Sequence, residues 1–243
     1  MKPDTKRNEA GDKLSGLFQR LYAKSNLLAL IMIVMLFGQV PLLANFLSWQ
    51  MTFFHEISHG LAALLTGGRL VRIELSFSGA GVCYSRGGLW WIISLAGYIG
   101  AAFWGLLIYL SAESFSQKRS HILAIVLVAV LAASAVFYAR DLPTWIIISV
   151  ITAFYAGAIK FRQKLPLKLF LKLAGLYIML DALKAPMALL GHQSPNDAAN
   201  LAAQTGLPAI TWIALWLGVA ALCLVFIWKI ERRPERLRPD SQD

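Results

Sequence analysis

The chain has 243 residues, of which 58% are hydrophobic and only 15% charged, with a net charge of +10. That balance excludes an ordinary soluble globule and leaves a polytopic membrane protein, with length for about six or seven spans of roughly 20 residues. The basic residues lie mostly in the termini and short loops, as membrane topology favours, so the charge does not argue for nucleic-acid binding.

In chain order, residues 1–25 mix Lys2, Lys6, Arg7, Lys13, Arg20 and Lys24 with Asp4, Glu9 and Asp12, and read as a polar tail at the membrane surface. The apolar run that follows is too long for the core of a cleavable signal peptide. A first span is expected from Leu27 to Leu47, interrupted by Pro41, and a second helix from Ser48 to Leu65, stopped by Thr66-Gly67-Gly68. Arg69 to Phe77 alternates and is rich in β-branched residues, Ser78-Gly79-Ala80-Gly81 is turn-forming, and Val82 to Ser85 returns, which together predict a small β-hairpin.

Apolar segments then recur near 89–111, 121–139, 142–159, 167–190 and 207–230, separated by polar stretches at 112–120, 160–168 and 191–206. The expected organisation is a tail over 1–25, one transmembrane domain over 26–230 and a basic tail over 231–243. The basic loop at 160–168 and the basic C-terminal tail place the C-terminus in the cytoplasm and 191–206 on the other side. Seven full spans put the N-terminal tail outside, whereas six spans, or one re-entrant segment, put both ends inside. The fold class is therefore an all-α polytopic membrane protein of six or seven transmembrane helices, with a small membrane-associated β-hairpin after the second helix.

That second helix carries His55-Glu56-Ile57-Ser58-His59, an HExxH motif within an apolar stretch. Residues four apart on a helix share a face, so both imidazoles can reach one metal ion, and Glu56 projects beside them as a general base. Ionisable groups at membrane depth are costly, and a bound cation offsets that cost. The alternative is a histidine pair that only hydrogen-bonds neighbouring helices.

A catalytic zinc site commonly has three protein ligands. Asp181, in the apolar stretch Leu176 to Leu183, is the leading candidate for the third, against a plain pairing with Lys184. Asp197, in Ser194-Pro195-Asn196-Asp197-Ala198, is the alternative ligand, against a role as a helix N-cap. His192, His121, Asp141 and Glu74 are weaker candidates, with solvation or local pairing the simpler account of each. Cys83 and Cys223 are too few for a disulfide framework or a cysteine-based zinc site.

The HEISHG stretch, the glycine pair, the hairpin and the later Ala96-Gly97-Tyr98 and Asn196-Asp197-Ala198 segments together resemble the site-2 protease family of intramembrane zinc metallopeptidases, in a compact bacterial branch. The resemblance covers most of residues 50–217. It implies Zn2+ held by His55, His59 and an aspartate on a later helix, with Glu56 activating water. It also implies a transmembrane protein as substrate, the lipid bilayer as surroundings and a bacterial cytoplasmic membrane as location. In the family the third ligand lies in Leu-Asp-Gly; Leu180-Asp181 matches its first two residues and Ala182 stands in place of the glycine. Two other functions compete: an inactive metal-binding protein serving as partner or chaperone, and a small transporter using His55, His59 and Asp181 as a path.

Overall fold

The computed structural model describes residues 27–161, 167–190 and 196–232. In chain order they form α1 (Leu27–Phe37), α2 (Pro41–Leu65), β1 (Arg69–Leu75), β2 (Gly81–Arg86), α3 (Trp90–Glu113), α4 (Gln117–Tyr138), α5 (Leu142–Lys160), α6 (Leu167–Lys184), α7 (Asp197–Thr205) and α8 (Ala209–Glu231). Helices α3, α4, α5 and α8 are long and apolar enough to cross a membrane. α2 and α6, of 25 and 18 residues, are comparably long but carry the ionisable residues at issue. At 11 residues α1 rises only about 16 Å, too little to cross. Among the described residues there is thus no seventh helix of spanning length. The two terminal tails lie outside the described residues.

Two expected boundaries move. The chain breaks at Gly38–Val40 rather than within a span at Pro41, and the motif helix begins at Pro41, not Ser48. Proline has no N–H to lose in the first turn of a helix and its φ is already set, so it starts a helix more easily than it interrupts one. At the other side, the polar connection 191–206 contains a helix. The Asn196 side chain accepts the Ala199 N–H at 2.9 Å to start α7, and Gly206, at φ 75°, ends it in the left-handed region. The apolar run at 167–190 is likewise divided, because Pro186 lies in a 3-10 turn, Ala185–Leu189, that follows α6.

α2 and α3 run antiparallel, with Phe54 against Trp104 and the Leu89 N–H donating to Thr66 Oγ1. α3 meets α6 most closely where two glycines face each other. A Cβ on Gly175 would stand 2.6 Å from the Tyr109 backbone nitrogen and 2.7 Å from the Gly105 carbonyl oxygen. The buried core has one part where α2, the hairpin, α4 and α5 meet, around Phe53, Ile73, Leu131 and Ile151. A second part lies among α1, α3, α6 and α8, around Leu30, Tyr109, Leu176 and Ile227.

The hairpin lies back along α2. Trp49 Nε1–H donates to Phe77 O at 3.1 Å and Thr52 Oγ1–H to Gly79 O at 2.6 Å, which fixes the turn beside the first half of that helix. The outer side of β1 is also covered. Ile73 forms a bridge with Ala139, and the Leu75 N–H donates to Thr144 Oγ1 at 2.6 Å. A polar cluster joins the ends of three helices: Lys172 Nζ lies 2.5 Å from Glu113 Oε2 and 2.8 Å from Glu231 Oε1, and Tyr109 OH donates to the same Glu231 oxygen. Glu113 is 16 residues along α3 from Gly97, so this cluster lies about 24 Å from the histidines that Gly97 faces.

Candidate metal centre

His55 and His59 lie one turn apart on α2, and their Nε2 atoms are 3.0 Å apart. Asp197 Oδ2 approaches both, at 3.2 Å from His55 Nε2 and 3.3 Å from His59 Nε2. Two ligands at about 2.0–2.1 Å from a tetrahedral zinc ion stand about 3.3 Å apart, so three donors at these separations fit one such ion. The donor set, two imidazole nitrogens and one carboxylate oxygen, is also the kind that zinc accepts, with a fourth position left for water or substrate.

Neighbouring elements shape this cluster. His59 Nδ1 lies 2.6 Å from the Ile93 carbonyl oxygen. A carbonyl can only accept, so the proton is on Nδ1 and the Nε2 lone pair points into the cluster. Gly97 lets α3 come against the donor face. A Cβ there would stand 2.5 Å from His55 Cε1 and 2.5 Å from His59 Nε2. α7 brings in Asp197, and the division of labour in its first turn matters. Asn196 supplies the cap, so the adjacent carboxylate is left to meet the imidazoles. The Asp197 carboxylate brings to the two neutral imidazoles the negative charge that favours a cation. The anionic form is the one that binds a cation.

Glu56 is buried on the neighbouring face of α2, against the hairpin. A Cβ on Gly81 would stand 2.9 Å from its Cγ and from its Oε1. β2 therefore comes close enough to this carboxylate to need glycine.

Asp181, the leading third-ligand candidate from sequence, is not in the cluster. It lies near the end of α6, three residues before Lys184. His192 lies outside the described residues. His121 lies in the first turn and a half of α4, Asp141 caps α5 by accepting the Thr144 N–H at 2.9 Å, and Glu74 pairs with Arg72 at 2.6 Å. Sequence reasoning overlooked the Ile93 carbonyl, whereas Gly97 and Tyr98 entered it only through the resemblance, with no role assigned to either.

The family model described as Peptidase M50B-like matches residues 27–227. The chain belongs to the Peptidase M50B-like family. Nothing among the curated proteins or the solved structures matches it. Peptidases of the M50 type are zinc-dependent in general, and the donor set of this M50B-like chain suits that metal. Membership of that family and the four long apolar helices make it an integral membrane protein.

Proposed function

We propose that this chain is an intramembrane zinc metalloprotease of site-2 type, which hydrolyses a peptide bond in or near a transmembrane segment of a membrane protein. The observation that carries the reading is the convergence of His55, His59 and Asp197, with Glu56 buried beside them on the same helix. When bound, a zinc ion supplies Lewis acidity, polarising the scissile carbonyl and acidifying a water. His59 is held for its part by the Ile93 carbonyl, and Asp197 by its place at the capped end of α7. Glu56 takes the proton from the attacking water and later delivers it to the leaving amine. β2 packs against that carboxylate at Gly81.

A helical substrate has its carbonyls in its own hydrogen bonds and must unwind before cleavage. An extended segment can be held by adding to a strand edge. The free side of β1 is covered at Ile73 and Leu75 by Ala139 and Thr144. β2, whose Val82 and Tyr84 are exposed and whose Gly81 meets Glu56, is the better edge for that purpose. The surroundings are a lipid bilayer, by resemblance a bacterial cytoplasmic membrane, and the partner is a transmembrane protein rather than nucleic acid. The transporter reading loses support because Asp181 stands apart from the two histidines. The reading as an inactive partner loses support because Glu56 is present and placed.

Glu56→Gln tests the proposal. The variant is expected to keep its zinc and to lose cleavage of a membrane-anchored substrate by at least about a hundredfold. Undiminished cleavage would sink the assignment.

A further inference from the structure

The two imidazoles of the cluster are held in different ways. His59 donates from Nδ1 to Ile93 O at 2.6 Å, the usual means of fixing the tilt of a metal-binding ring. His55 Nδ1 is buried and has no hydrogen-bond partner among the described residues. Among the described residues no hydrogen bond at that nitrogen sets the rotation of its ring.

The His55 ring makes an aromatic contact instead. The Tyr98 ring meets His55 edge to face, with centroids 4.4 Å apart and planes at 69°, an arrangement that the charge distribution of aromatic rings favours. Tyr98 packs in turn on Trp216, at 4.7 Å and 47°. Trp216 is 1% exposed, and its Nε1–H donates to Leu95 O at 3.3 Å, on the same helix as Tyr98. The indole is thus tied to α3, the phenol ring is backed by the indole, and the imidazole is backed by the phenol ring.

We propose that Tyr98, braced by Trp216, is the positioning residue for His55, in the place that a hydrogen-bond acceptor takes for His59. The proposal rests on the reading of His55, His59 and Asp197 as the metal-holding set. It requires the face and edge of the ring, not the phenol hydroxyl. Without the brace the imidazole spends only part of its time with Nε2 toward the cluster, and apparent metal affinity falls by that fraction. A ring correctly placed one-tenth of the time lowers the affinity about tenfold.

The test is a cobalt titration of the purified full chain in detergent, read from the visible absorption of the bound ion, with zinc competition for the affinity. Tyr98→Leu is expected to weaken cobalt binding about tenfold and to change the spectrum, whereas Tyr98→Phe stays within about twofold of the unmodified chain. Trp216→Leu shifts affinity in the same direction, and Tyr98→Leu with Trp216→Leu is no worse than Tyr98→Leu alone, because both act through one ring. Tyr98→Met, similar in volume and without the aromatic face, serves where Tyr98→Leu does not fold. Unchanged affinity and spectrum in a folded Tyr98→Leu or Tyr98→Met variant overturn the proposal, and so does a Tyr98→Phe defect as large as that of Tyr98→Leu. An unmodified chain that binds no cobalt overturns the metal-centre reading itself, whatever Tyr98 does.

Discussion

His55, His59 and Asp197 come from two helices far apart in sequence, and the distances among their donor atoms, 3.0 to 3.3 Å, suit a shared cation. At that scale Gly97 is as telling as the ligands. Gly97→Ala puts a methyl group against both imidazoles, so it should weaken metal binding on the order of tenfold while the chain still folds, as equilibrium dialysis with zinc would reveal. The histidine pair and Glu56 were legible from sequence because helical spacing alone puts them together. Asp197 was legible only as the alternative to Asp181. Asp181 stood out because its sequence neighbours are apolar, but burial is a tertiary property. Asp197 sits in a polar stretch and is nonetheless half-buried, because α7 packs on α3 and α8.

The elements explain how an aspartate from a polar connection reaches the two histidines. α7 is only nine residues long, and its start depends on the Asn196 cap. Asn196→Ala is expected to destabilise that helix by about 1 kcal/mol and to lower zinc retention under a competing chelator, with the rest of the fold kept. The hairpin was legible from its alternation and turn residues, and so were most apolar segments. The start of α2 was misplaced because a proline within an apolar run marks a first turn as well as a break. Where α3 and α6 touch, the constraint is steric. Gly175→Leu should lower the thermal stability of the protein in detergent by more than Gly157→Leu, since a Cβ at Gly157 meets nothing within 4 Å.

Across the whole molecule, two polar clusters lie toward opposite ends of the bundle. One joins α2, α3 and α7 through the candidate metal ligands and Gly97; the other joins α3, α6 and α8 through Lys172, Glu113 and Glu231. α3 takes part in both, and α8 reaches the first through Trp216. Lys172→Met leaves two buried carboxylates without this cation and is expected to cost on the order of 3 kcal/mol in unfolding. Sequence gave no sign of this second cluster, because its partners lie far apart along the chain and meet only through packing. The central claim is that His55, His59 and Asp197 hold the catalytic metal. Its most direct test is the zinc content of the purified chain beside Asp197→Ala and Asp181→Ala. About one zinc ion per chain in the unmodified protein and in Asp181→Ala, with little in Asp197→Ala, is the expected result. Full zinc in Asp197→Ala with loss in Asp181→Ala would contradict the account.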